Sequence, residues 1–282
     1  MCSQQASCTT EFCYHLHIGT KPILISMPHD GSLFPEAIGQ QFLPNALRAQ
    51  DTDWFMHKLY DFAKEMGCSL LIPKFSRYVI DLNRSTDGLN LYPGQNTTEL
   101  CPLSSFDFSP LYPADKQPNT EEIQRRITHY WMPYHQALKD ELKRLRELFP
   151  SVLLFEAHSI ASKVPRFFEG ILPDFNFGTN DGKSCDEALL NIMLNKIDFK
   201  NYSKIVNGRF KGGYITRHYG KPHTGIQAIQ LELSQATYMD EIKPMELSNQ
   251  LPSWNESKAS QVKTVLESLI LSAVERLWVQ FL

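Results

Sequence analysis

Residues 152–159 read VLLFEAHS. The first four are apolar, and a short apolar run of this kind is what a strand buried on both faces presents. The run passes directly into Glu156, Ala157, His158 and Ser159. Ligands of open α/β sheets bind beyond the carboxyl ends of the strands. An acid and an imidazole just after an apolar run therefore mark a place to look for chemistry.

Three other stretches repeat the pattern. Residues 23–27 (ILISM) run into Pro28-His29-Asp30-Gly31, and residues 78–82 (YVIDL) run into Asn83-Arg84. Residues 228–233 (AIQLEL) alternate apolar and polar side chains, as a half-exposed strand does, and carry Glu232 between apolar neighbours. Residues 69–72 predict a fifth strand and 204–206 a sixth. His15 and His17 alternate as on an exposed strand and do not read as a metal site. The first twenty residues otherwise carry no readable signal.

Helices separate these runs. Asn119 with Glu122 three residues on reads as a variant capping box, and Ile123, Ile127, Tyr130, Tyr134 and Leu138 follow at helical spacing. Pro133 should kink or divide that helix. A second helix is expected over residues 53–65, stopping at Gly67, and a third from about Glu256, with Val262, Leu266, Leu269, Val274, Leu277 and Phe281 on one face. Strands mixed with helices imply an α/β layer fold with a largely parallel sheet, here one domain over residues 1–282. Residues 89–119 and 164–183 read as long irregular loops, and both are expected to cover the active site.

Composition narrows the function. The 282 residues are 42% apolar with a formal net charge of −3, so no basic field points to nucleic acid. No apolar run is long enough to span a bilayer, and residues 1–15 lack the charged start and apolar stretch of a secretory signal; a cytoplasmic location is expected. The six cysteines contain no CxxC pair and read as scattered thiols, with Cys185 the one to retain as site-lining.

Each polar residue has a structural alternative. One histidine at a strand end is more often hydrogen-bonded than a ligand, and Asn83-Arg84 alone could form a loop ion pair. Two such histidines with acids nearby weigh more, and a carboxylate such as Glu232 in a core strand is rarely buried unless paired. Zinc takes His nitrogen and carboxylate oxygen, with a position left open in catalytic sites. A neighbouring carboxylate can take a proton from water, and an arginine can stabilise an oxyanion or clamp a carboxylate. HExxH, GxSxG, a P-loop and GxGxxG are all missing.

The segments ILISMPHDG, DTDWFMHKLY, FSRYVIDLNR, LYPGQNTTELCP, EAHSI, VPRFFEGILPDFNFGTNDG, GGYITRHYGKP and IQLELSQATYM resemble, in order, those of the N-formylglutamate amidohydrolases, which are distantly similar to zinc carboxypeptidases and aspartoacylase. The resemblance implies a zinc-carboxypeptidase-like (phosphorylase/hydrolase-like) fold: a mixed, mainly parallel β-sheet with helices on both faces. It implies one zinc ion with His29 as first and His158 as last ligand, and Glu232 as the general base. It implies Arg77 as the group that polarises the scissile carbonyl, and Asn83 and Arg84 as the pair that holds a substrate carboxylate. The implied reaction is hydrolysis of N-formyl-L-glutamate to glutamate and formate, the last step of a histidine degradation pathway.

One departure matters. The carboxypeptidase-type HxxE pair would need Glu where the chain has Ser32. The resemblance favours Asp53 as the carboxylate ligand, because the family's segment around DTDW keeps an acid there and it opens the expected helix; Asp51 and Asp30 are rivals, and Asp53 could instead cap its helix. A dianionic substrate calls for a second cationic anchor, for which Arg166, Arg217 and His218 are candidates. An amidohydrolase for another N-acyl amino acid or a peptidoglycan fragment, and a non-catalytic binding protein, are the alternative readings.

Overall fold

The computed structural model describes residues 13–88, 94, 96–195, 197–199, 202–241 and 252–279. Seven strands form one sheet: β1 (Tyr14–His17), β2 (Ile23–Ser26), β3 (Ser69–Pro73), β4 (Val152–Ile160), β5 (Phe175–Gly178), β6 (Lys204–Val206) and β7 (Ile226–Ser234). Their order is β1-β3-β2-β4-β7-β5-β6. The pairs β3–β2, β2–β4, β4–β7 and β5–β6 are parallel, whereas β1–β3 and β7–β5 are antiparallel.

Successive side chains of a strand point to opposite faces, and the two hydrophobic clusters follow that rule. Ile23, Ile25, Leu153, Phe155, Ile229 and Leu231 pack against Met56 and Leu59 of a short helical turn, the helix Glu187–Asn195 and the C-terminal helix Glu256–Val279. Leu24, Val152, Leu154 and Ala228, one residue out of phase, pack against Tyr134, Leu138, Leu142 and Leu145 of the helix Met132–Leu148. Helices thus cover both faces, and the central strands are apolar on both. Each fully buried Leu or Ile contributes about 1.5–3 kcal/mol. Among the described residues no helix is long and apolar enough to cross a membrane.

Several expectations change. Residues 78–82 are not a strand. Tyr78, Val79, Ile80 and Leu82 are buried in the second cluster without sheet pairing, and the Asp81 carboxylate accepts the Asn83 N–H at 2.9 Å, closing a turn. A short apolar run reports burial, which a packed turn satisfies as well as a strand. Residues 53–65 form two helical turns, Met56–Leu59 and Phe62–Glu65: the left-handed Phe55 (φ 62°) delays the start to Met56, and the non-helical Tyr60 (φ −100°, ψ 14°) separates the two. The 164–183 loop contains β5, inserted antiparallel beside β7. β4 and β7 extend through the polar residues that follow their apolar runs, and residues 228–233 are buried throughout despite their alternation. Cys185 packs in the first cluster. Residues 1–12, 89–93 and 95, and with them Cys2, Cys8 and part of the long loop, lie outside the described residues, as does Phe281.

Asn119 caps its helix as read: its Oδ1 accepts the Glu122 N–H at 2.9 Å. The helix is then divided by a π-turn, Ile127–Trp131, before Pro133. That junction places Trp131 and His135 one turn apart with their rings stacked at 3.7 Å. Trp131 Nε1 donates to the Arg84 carbonyl (3.0 Å) and His135 Nε2 to the Leu82 carbonyl (2.9 Å). The helix therefore pins the backbone on either side of Asn83.

Burial pushes the His135 imidazole from its ordinary 6.5 down to about 3. The unfolded chain takes up this proton below pH 6.5 and the folded chain does not, so the contribution to stability is whole above 6.5 and is lost as pH falls toward 3. His135→Gln, neutral at every pH, is expected to flatten the acid limb of a urea-midpoint profile. An unchanged slope between pH 7 and 4 would contradict it.

Candidate metal centre and active site

The register of β4 and β7 pairs Glu156 with Gln230 and His158 with Glu232. All four share one face of the sheet by the period of two, toward the carboxyl ends of both strands. β2 ends at Ser26, and the turn after it brings His29 alongside: the His29 and His158 ring centroids are 4.8 Å apart. Gly31 permits this turn, since a Cβ there would sit 2.3 Å from the Phe75 carbonyl oxygen.

Asp53 stands between the two rings. Its N–H donates to the His29 carbonyl (3.1 Å). Its Oδ2 is 2.9 Å from His158 Nδ1, 3.7 Å from His29 Nδ1, and accepts the Ser159 N–H at 3.1 Å. The carboxylate does not cap a helix. The other nitrogen of each ring is also held by an acid: His29 Nε2 lies 2.7 Å from Asp81 Oδ1, and His158 Nε2 lies 2.8 Å from Glu156 Oε1. Glu156 in turn accepts both the N–H and the hydroxyl of Thr216. Ligand atoms of His29, Asp53 and His158 lie within 4.8 Å of one another, and all three residues are buried.

The donor chemistry fits a divalent cation. Two imidazole nitrogens and one carboxylate oxygen are a set that zinc accepts. Ligating histidines are typically oriented by a carboxylate on the far nitrogen, the role that Asp81 and Glu156 have the geometry to fill. The rival acids are engaged elsewhere. Asp30 pairs with His57 Nδ1 at 2.8 Å, and Asp51 accepts the Phe106 N–H at 2.8 Å.

Charge is dense here. Burial alone would raise the Asp53 and Asp81 carboxyls, but His158 and His29 beside Asp53, and His29 and Arg77 beside Asp81, hold both below the ordinary range. Burial would lower His158; the Glu156 charge and its two carboxylate contacts reverse this and hold it well above the usual imidazole value. Burial and the Arg77 charge lower His29. Glu232 stands apart: burial pushes its carboxyl up to about 8, against the pull of His158.

One pocket is lined by His29, His158, Glu232, Arg77, Asn83 and Arg84. Asn96, Thr97 and Phe106 from one long loop and Phe167 from the other also form its wall. Arg77 Nη2 donates to Asp81 Oδ2 at 2.7 Å, and its Nη1 lies 3.9 Å from Asp53. Asn83 Nδ2 is 3.1 Å from His158 Nε2, and its Oδ1 accepts the Ile215 N–H at 2.9 Å.

The model of the N-formylglutamate amidohydrolase family matches residues 21–239. The chain is 46% identical over 260 residues to the N-formylglutamate deformylase of Pseudomonas aeruginosa, covering 92% of this chain and 96% of that one. It is 44% identical over 255 residues to the N-formylglutamate deformylase of Pseudomonas putida, covering 90% and 92%. The chain belongs to the N-formylglutamate amidohydrolase family. A crystal structure of an N-formylglutamate amidohydrolase from Ralstonia eutropha JMP134 superposes with a TM-score of 0.75 at 26% identity, over 93% of this chain and 98% of that one. The mixed sheet described above is therefore shared within the family.

His29, Asp53, His158, Glu232, Arg77, Asn83 and Arg84 come together. Arg166, Arg217 and His218 are not among the residues that line the pocket. Arg166 Nη1 donates to Ser104 Oγ and the Ser105 carbonyl, Arg217 Nε donates to the Gly212 carbonyl, and His218 stacks on Tyr214 at 4.9 Å. Asp81, Glu156, Gln230 and Arg209 join the site without a role expected from the sequence. Asp81 and Glu156 did carry a signal: each is a carboxylate set in an apolar run, which demands a partner.

Removing the far carboxylate while keeping the shape tests its role. Asp81→Asn and Glu156→Gln are each expected to weaken divalent-cation affinity about 10- to 100-fold, read by titration against a competing chelator. Affinity equal to that of the unaltered protein in both variants would mean these acids serve the fold alone.

Proposed function

We propose that this protein hydrolyses N-formyl-L-glutamate to L-glutamate and formate with one zinc ion held by His29, Asp53 and His158, as the last step of a histidine degradation pathway. The observation that carries the reading is the convergence of those three residues beside Glu232, the strand partner of His158. The names of the Pseudomonas relatives supply the substrate.

Zinc held there would supply Lewis acidity, lowering the pKa of water and polarising a carbonyl oxygen. Glu232 takes the proton from the attacking water as its oxygen bonds to the formyl carbon. A carboxyl whose proton affinity lies near the working pH can both accept and return a proton, and Glu232, raised to about 8, is such a group. It returns the proton to the amide nitrogen as the C–N bond breaks, leaving formate and the free amine. Arg77 faces the pocket with Asp81 fixing its guanidinium, so its charge is preorganised for the developing oxyanion. Asn83 and Arg84 hold the substrate carboxylate next to the scissile amide. Arg84 itself is held by Thr98, through Nε to the carbonyl (3.1 Å) and Nη2 to the hydroxyl (3.3 Å).

Purified protein is expected to release formate from N-formyl-L-glutamate, to lose that activity on chelation, and to regain it with zinc. Release that persists after the bound metal has been stripped would sink the metal assignment. Glu232→Gln is expected to lower kcat by about 10²- to 10⁴-fold with KM little changed. Arg84→Ala should chiefly raise KM. The reverse pattern would exchange the two roles.

A further inference from the structure

Three arginines line the pocket: Arg77, Arg84 and Arg209. Arg77 is bound to Asp81 and faces Asp53. Arg84 belongs to the segment that contains Asn83, which touches His158. Arg209 comes from a separate part of the chain, the turn of residues 207–213 that joins β6 to the short helix Tyr214–Tyr219.

That turn is held at both ends. Asn207 adopts left-handed backbone (φ 52°), its Oδ1 accepts the Thr179 N–H at 2.8 Å and its Nδ2 donates to Thr179 Oγ1 at 2.9 Å. The Lys211 carbonyl accepts the Asn180 N–H at 2.6 Å. At the far end the Gly213 N–H donates to Gln230 Oε1 at 2.7 Å, and a Cβ at Gly213 would lie 2.3 Å from Asn83 Nδ2. The turn is therefore pressed onto Asn83 with no room for a side chain between. Arg209 Nε donates to the Phe167 carbonyl at 2.6 Å, and its guanidinium lies 5.3 Å over the Phe210 ring, so the group is aimed before any ligand arrives. Arg217 contributes to the same arrangement by donating to the Gly212 carbonyl at 2.7 Å.

A substrate that is N-formyl-L-glutamate carries one carboxylate beside the scissile amide and one at the end of a flexible side chain. Asn83, in contact with His158, is placed for the first. The second needs a cation farther along the wall, on a different piece of chain. We propose that Arg209 binds the side-chain carboxylate of the substrate and so sets selectivity for glutamate over neutral N-formyl amino acids of the same size. This inference rests on the substrate proposed above. A charge-assisted, bidentate contact of this kind has the strength and the shape for the discrimination.

The test compares N-formyl-L-glutamate with N-formyl-L-glutamine, its neutral isostere, in the zinc-loaded full-length protein. Arg209→Met is expected to lower kcat/KM for the glutamate compound about 10- to 100-fold, mostly through KM. It should change the glutamine compound less than about threefold on the same reasoning. Arg209→Lys should recover part of the selectivity, whereas Arg84→Met should penalise both compounds alike. Equal losses on both compounds in Arg209→Met, or no loss on either, would overturn the inference. Failure of the unaltered protein to deformylate N-formyl-L-glutamate would instead overturn the proposed function. Calorimetric binding of L-glutamate against L-glutamine then decides the role of Arg209 separately. A preference for glutamate that Arg209→Met abolishes supports it; an unchanged preference, or none in the unaltered protein, overturns it.

Discussion

The structure is organised around a buried chain of alternating carboxylates and imidazoles: Asp81, His29, Asp53, His158, Glu156. Each link is a contact between a carboxylate and an imidazole nitrogen, and all five side chains are almost wholly removed from solvent. An uncompensated ion in such a place would cost several kcal/mol. The alternation makes the arrangement tolerable, because each acid has an imidazole beside it and each imidazole an acid on its far nitrogen. Arg77 and the Thr216 hydroxyl and amide close its two ends. The same geometry leaves two Nδ1 atoms facing one carboxylate, which is the shape a divalent cation needs. Stability without the ion and readiness to take it therefore come from the same contacts.

The sheet makes this possible through parity. One residue out of phase along β4, the side chains are Leu153, Phe155 and Ala157, which serve the hydrophobic cluster beneath the C-terminal helix. In phase are Glu156 and His158, and the parallel register sets Gln230 and Glu232 beside them. Four polar groups are thus tiled on a rigid surface whose other side is a packed core. Glu232 belongs to that surface yet lacks the carboxylate–imidazole bonds of the chain, which is why burial dominates it and its proton affinity moves toward neutral pH.

Another part of the pocket wall is built differently, on turns held from behind. The backbone around Asn83 is pinned by Trp131 and His135 across a π-turn, a feature often found at functional sites. The Arg209 turn is pinned by Asn207 and Gly213. Rigid elements behind these pocket-lining turns hold them in place.

Legible along the chain were the layer class, the strands at residues 23–27, 69–72, 152–155 and 204–206, and the divided helix after Asn119. Hydrophobic period and the geometry of proline are local properties, so these could be read along the chain. The resemblance carried by PHDG, DLNR, EAHSI and LEL named the residues that meet in the pocket. That residues 78–82 form a packed turn follows only from the assembled fold, since burial and sheet pairing leave the same apolar signature. The fold brought Asp53, rather than Asp30 or Asp51, between the two histidines, because a left-handed Phe55 delays the expected helix and frees Asp53 from capping it. It also put Arg209 on the pocket wall and directed Arg166, Arg217 and His218 to other contacts. Which of several arginines reaches a site depends on how distant turns fold against one another, and no short-range pattern records that.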